Sequence, residues 1–334
     1  MLFVAKRFSQ LIAVVLAVTF LAFAALNVLG DPLFNVVGFY SSVDCDAVLA
    51  GEAEDVSGQA GTNLGDCQVV AEAREKFHLN DPLPVRYGYW LTDIIQGDFG
   101  TSFKNRMPVS TILADRLPKT LLLLAMSQIV AVAVSIPWAV TSAYRANGKF
   151  DRLSNAGAFG LLSIPSFALG VVFFYFFVIK WQVFPSRFED DSFLSRIHSL
   201  ILPACTLGLP LSAIYQRVLR TDLITNLQED FVLMAKAKGL SERRIMFRHV
   251  LRPSLFSIVT VFGLSASATI GGSIVIEQIF SIPGIGRALL EAVIRDDFPV
   301  VLGAVVVVAT GFVVINLMVD LVYSYLDPRI SRDR

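Results

Sequence analysis

PVVLGAVVVVATGFVVINLMVDLVY, residues 299–323, is the stretch on which the fold turns, because it holds a single charged residue, Asp320. A helix of about 25 residues, rising 1.5 Å per residue, more than crosses the ~30 Å hydrocarbon core of a bilayer. Comparable apolar runs occur at about 8–29, 120–143, 153–180, 199–216 and 254–279, which predicts six spanning helices. The whole chain agrees. Of its 334 residues 54% are apolar and only 17% charged, with a mean hydropathy of +0.63, whereas soluble domains carry about a quarter charged residues. Formal net charge is zero, so only the distribution of charge is informative, and nothing in it suggests nucleic acid.

Lys6 and Arg7 ahead of Phe8–Leu29 have the charge of a signal peptide, but the run is long enough to span. Asn27 to Pro32 also offers no small-residue cleavage pattern, so this segment reads as a retained first helix. Pro118 and Pro299 fall near span starts, where a missing N–H costs little, while Pro137, Pro165, Pro203 and Pro210 lie inside or near span ends and predict kinks.

Orientation follows from the cations. Lys6 and Arg7, then Arg145, Lys149 and Arg152, then Arg217, Arg220, Lys236, Lys238, Arg243, Arg244, Arg248 and Arg252, and finally Arg329, Arg332 and Arg334 all fall on one side of a six-span arrangement. The other side holds an acid-rich long segment and Glu189, Asp190 and Asp191. Short basic loops stay cytoplasmic, so both termini are expected inside and the 31–118 segment outside.

That segment has two parts. Tyr40 to Asp66 is rich in Gly, Ala, Ser and acids and reads as an irregular insertion, with Cys45 and Cys67 at its ends. In an oxidising compartment the pair can close as a disulfide; two separate thiols are the alternative. Val69–Phe77 has a helical pattern, broken by Asp81-Pro82-Leu83-Pro84 before Tyr87, Tyr89 and Trp90, aromatics that suit a membrane interface or a protein contact. None of the three cysteines has the paired spacing of a zinc or redox motif.

The loop after the fourth run, Glu229 to Arg244, reads as helix, turn, helix. Glu229 and Asp230 open a short helix at its positive end, Gly239 ends it in a left-handed conformation, and Ser241 is placed to cap a second helix running through Arg248 and His249 to a stop at Pro253. Ala235 and Ala237 would allow a partner to approach closely. A solvated basic orientation signal is the plainer reading of the same residues.

This loop resembles the EAA loop of ABC importer permeases, in the form seen in the dipeptide/oligopeptide subfamily. Leu233-Met234-Ala235 stands at the degenerate Glu-Ala-Ala positions and Gly239 at the characteristic glycine. The resemblance extends to Gly97-Asp98-Phe99-Gly100-Thr101-Ser102, Pro108-Val109, Arg116-Leu117-Pro118-Lys119-Thr120, Ser163-Ile164-Pro165-Ser166-Phe167, Phe184-Pro185, the stretch Glu277 to Arg287, and Asp327-Pro328-Arg329. It covers the first span and roughly 70 to 331. What it implies is an all-α integral membrane protein of the type I ABC importer (MetI-like) permease fold, with six transmembrane helices and an extracytoplasmic domain between the first two. Glu229, Asp230, Phe231, Ala235, Lys236, Ala237, Lys238, Gly239, Leu240 and Ser241 would then form the coupling helix that docks on an ATPase. Ile282, Pro283, Gly284, Ile285, Gly286 and Arg287 would form an outer gate or a contact for the binding protein.

The same resemblance implies a second homologous permease, two ATP-binding subunits carrying the ATP and magnesium, an extracytoplasmic substrate-binding protein, surrounding lipid and a peptide substrate. The chain itself would carry no cofactor and no catalysis. Its sequence has no Gly-x-x-x-x-Gly-Lys-Ser/Thr, His-Glu-x-x-His or Gly-x-Ser-x-Gly, and His78, His198 and His249 are assigned to separate loops. Glu277 and Asp320 are acids at apolar depth, read as structural, with Arg287 a candidate partner for Glu277. Gly271-Gly272-Ser273 permits close helix packing, the preferred reading, or a lining wall beside the pathway. The expected division is a first helix at 1–30, an extracytoplasmic domain at 31–118, a five-helix core at 119–325 and a cytoplasmic tail at 326–334. Alternatives are the same machine for nickel chelates, glutathione or another small solute, and a membrane-anchored sensor or scaffold.

Overall fold

The computed structural model describes residues 2–29, 78 and 81–326. Cys45, Cys67, the 69–77 helical pattern and the Asp327-Pro328-Arg329 motif lie outside the described residues. Among those described, all regular structure is helical apart from one isolated antiparallel bridge, Thr101 to Pro108. The helices are α1 Leu2–Leu29, α2 Leu83–Ile95, α3 Val109–Tyr144, α4 Lys149–Ser163, α5 Ser166–Phe173, α6 Phe193–Asn226, α7 Asp230–Ala237, α8 Leu251–Ile279, α9 Ile285–Ile294 and α10 Phe298–Leu326. π-Helical turns extend α5 through Phe174–Lys180 and precede α8 at Ile245–Val250.

Among the described residues five helices are long and apolar enough to cross a bilayer. The α4–α5 pair, bent by 93° at the break before Ser166, makes a sixth if it counts as one span. The break has a local cause. Pro165 forces the residue before it out of the helical region, and Ile164 adopts φ −90°, ψ 119°. The expected kink at Pro165 is therefore a full interruption. Pro299 sits at the second position of α10 as expected. Pro118 does not start its span: α3 begins at Val109 and places that proline inside the helix. Arg217 and Arg220 likewise belong to α6, which continues to Asn226 beyond the apolar run, because Leu219 and Leu223 keep one face buried after the other has turned polar.

The chain forms two compact units. One comprises residues 4–115 and 288–310. In it α2 packs on α1: the Tyr87 hydroxyl lies 2.8 Å from Thr19 Oγ1, Arg86 Nη2 donates to Asn27 Oδ1 at 2.6 Å, and Phe23 meets both Tyr87 and Trp90 at centroid distances of 5.7 and 5.6 Å. Tyr87 and Trp90 thus serve a contact within the protein, while Tyr89 stacks on His78 at 4.2 Å. The Gly97–Ser102 turn is held by Asp297, which accepts from Ser102 Oγ at 2.5 Å and from the Phe103 N–H at 3.0 Å.

The other unit comprises residues 1–3, 116–287 and 311–334. Its core has two apolar clusters. One joins Leu123 of α3, Val178 of the first π turn, Leu200 and Leu207 of α6, Ile276 of α8, and Ile282 in the segment that follows it. The second lies around α7. Between helices, the buried Tyr215 hydroxyl of α6 donates to Gln128 Oε1 of α3 at 2.7 Å and pairs with Ser265 Oγ of α8 at 2.5 Å. Gly271 faces open space and Gly272 has only an ordinary contact with Leu207, so the close packing expected at that pair is absent.

Candidate functional site

The loop from Leu227 to Val250 is built as a short helix standing on an apolar footing. Glu229 enters extended at φ −73°, ψ 152°, and Asp230 occupies the first turn of α7, where its charge favours the unpaired N–H groups. Glu229, at the N-cap position, makes no side-chain cap bond. At the other end Gly239 takes φ +74°. The Gly239 N–H donates to Lys236 O at 2.9 Å and the Leu240 N–H to Ala235 O at 3.2 Å, which is the two-bond Schellman closure of a helix C-terminus.

The burial of α7 alternates with its turn. Val232 and Ala235 are buried at 1% and 6% exposure, packed with Ala139, Val140 and Ala143 of α3, Leu219 and Leu223 of α6, and Ile245, Met246, Val250 and Ile258. Phe231 and Leu240 complete that packing from the margins. Leu233 and Met234, in contrast, are 69% and 62% exposed, flanked by exposed Asp230, Lys236, Ala237 and Lys238. Ala235 consequently faces the protein, and its small size serves the close packing of α7 on its own footing. Ala237 stays on the outer side. The sequence placed Leu233 and Met234 at the Glu-Ala-Ala positions but left them out of the candidate docking residues, although two large apolar side chains ahead of a basic run were a readable signal of an exposed apolar face.

Polar ties fix the surroundings. Asn226 Nδ2 at the end of α6 donates to Ser254 Oγ of α8 at 2.9 Å, and the Tyr144 hydroxyl at the end of α3 donates to Glu242 O at 3.2 Å. Ser241 stands at the N-cap position, but its side chain makes no cap bond; its carbonyl accepts from the Ile245 N–H at 3.0 Å. The following helix does not stop at Pro253. It passes through the π turn into α8, and Pro253 stands at the third residue of α8, directly after the π turn. His249 is part of that turn and His198 part of α6, so neither histidine is in a loop.

The segment after α8 forms a second constellation. The Glu277 carboxylate is fully buried. Its Oε1 accepts from Thr120 Oγ1 at 2.7 Å and its Oε2 from the Arg287 N–H at 2.9 Å, while Thr120 Oγ1 accepts from the Ile285 N–H at 2.8 Å. Glu277 is thus held by Thr120 and by the main chain at Gly286 and Arg287. A Cβ on Gly284 would collide with the carboxylate, and one on Gly286 would stand 2.7 Å from Ile274 Cα. Ile282, Gly284, Ile285 and Gly286 are buried in this fold; Pro283 and Arg287 are the partly accessible members of the segment.

The family described as "Binding-protein-dependent transport system inner membrane component" matches residues 135–332, which include α7, α8 and the Glu277–Arg287 stretch. The chain belongs to that family. As such an inner membrane component it is a multi-pass transport subunit that works with a binding protein and further subunits. Among its relatives, the oligopeptide transport system permease protein AppB of Bacillus subtilis is 39% identical over 263 residues, 77% of this chain and 83% of that protein. The glutathione transport system permease protein GsiC of Salmonella typhimurium is 34% identical over 329 residues, covering 98% of both chains.

Proposed function

We propose that this chain is one of two permease subunits of an ATP-driven importer carrying di- or oligopeptides across the bacterial cytoplasmic membrane, with both termini inside. Of two ATP-binding subunits, one takes α7 in a cleft, and a substrate-binding protein delivers the peptide from outside. The observation that carries the reading is the construction of α7: one face is cemented into a core shared by α3, α6 and the start of α8, and the opposite face offers Leu233 and Met234. A helix so built transmits a push to three long helices without bending, which a solvated orientation signal has no need to do. The sequence has no phosphate-cradling loop, so hydrolysis falls to the partners. The peptide assignment draws on the likeness to AppB, and the likeness to GsiC supports a second reading in which the cargo is glutathione.

The test is detergent extraction of the native complex through a C-terminal tag, mass spectrometry of every co-purifying chain, and uptake of labelled peptide in reconstituted vesicles. A second permease, ATPase chains and a binding protein, with uptake competed by unlabelled oligopeptides, support the proposal. Competition by glutathione alone would move the cargo to the second reading, and recovery of this chain alone would favour a scaffold.

A further inference from the structure

The first turn of α4 carries a buried carboxylate, Asp151, at 2% exposure. Five donors converge on it: Ser142 Oγ at 2.5 Å, the Asn147 N–H at 2.9 Å, Asn155 Nδ2 at 3.3 Å, and Arg220 through Nε at 2.5 Å and Nη2 at 2.5 Å. Arg220 reaches it from α6, within two turns of the end of that helix and of the loop into α7. A buried ion pair is weak evidence of stability, since apolar residues of similar volume often serve as well. Its distinguishing property is direction: a two-pronged guanidinium–carboxylate contact admits one geometry, whereas apolar surfaces slide over one another at little cost.

That distinction matters because of how α4 is attached. The apolar core under α7 takes residues from α3, α6 and α8 and none from α4. The buried residues of α4 are Asp151, Ser154 and Ala158. Beside the packing of fully buried Ala158, its ties to α3 and α6 include polar and cationic ones: Trp138 Nε1 donates to Ser154 Oγ at 2.5 Å, and the Arg217 guanidinium lies 4.4 Å from the centroid of the Phe159 ring. Asp151 and Arg220 form the most directional of these ties and the one nearest α7 in sequence. We infer that Asp151 and Arg220 are a positioning pair that makes the broken span, α4 with α5, follow α7 during the transport stroke. The inference rests on the reading of α7 as the docking helix.

The test uses the full complex in proteoliposomes, measuring peptide uptake and ATP hydrolysis in the same sample, with a disulfide cross-link from a cysteine at position 236 to the ATPase as a third readout. In Asp151→Asn and Arg220→Lys, uptake per ATP hydrolysed is expected to fall about tenfold, with the cross-link and the hydrolysis rate retained. Uptake and hydrolysis falling in proportion, or an unchanged ratio, would overturn the inference and leave the pair as internal packing. If Asp151→Asn does not assemble, Arg220→Lys decides, because it keeps the charge and loses only the two-pronged contact. Absence of the cross-link in the unsubstituted complex would instead overturn the docking reading itself.

Discussion

Single residues set the shape of both sites. Gly239 holds a left-handed conformation that costs other residues about 1–2 kcal/mol, more for a β-branched side chain. Gly239→Val should therefore leave the protein in the membrane at near-normal abundance and abolish uptake; normal uptake at equal abundance would show that the turn is dispensable. Thr120 is the hinge of the other site, donating to Glu277 and accepting from the Ile285 N–H. Thr120→Val strands two buried polar groups at about 1–3 kcal/mol each, so the detergent-solubilised protein should unfold at a lower temperature, while Thr120→Ser should behave as the parent. The sequence announced Gly239, since a glycine after a helical run has few other uses. It did not announce Thr120 or Arg220, whose partners lie 157 and 69 residues away and leave no local spacing to read. Arg220 looked like one more orienting cation.

At the scale of elements, the two faces of α7 should respond oppositely to the same chemistry. Leu233→Glu with Met234→Glu should leave the permease folded and strip the ATPase chains from the purified complex, as read by mass spectrometry. Val232→Glu places a charge in the core and should reduce the amount of folded permease itself. Equal loss of ATPase chains from both variants at full permease abundance would count against the docking face. Length and apolarity made the spans legible, because a bilayer imposes a minimum run. They did not make legible the 93° break or the extension of α6 to Asn226. A hydropathy count sees neither a proline's effect on its predecessor nor a helix that continues with one buried face.

Across the whole molecule, the expected topology places Asp191 outside and Lys238 inside. A cysteine introduced at Asp191 should be labelled in intact cells by a membrane-impermeant maleimide, and one at Lys238 only after the membrane is opened; the reverse pattern would invert the orientation.

The π turn at Ile245–Val250 bears on the length of the chain itself. The Leu251 N–H reaches back five residues to Met246 O, so this stretch holds one residue more than an α-helix would need. Removing one residue there would restore the ordinary winding and leave α8 in its present rotational phase, whereas the same deletion within α6 would turn everything beyond it by about 100°. A proline ring crowds the carbonyl four residues back in ordinary α winding, so that winding carries a cost at Pro253. A shortened chain should accordingly be sick with Pro253 in place and recover with Pro253→Ala, so the two changes form a suppressor pair, and a gap at this point would be the insertion or deletion a lineage could most easily fix.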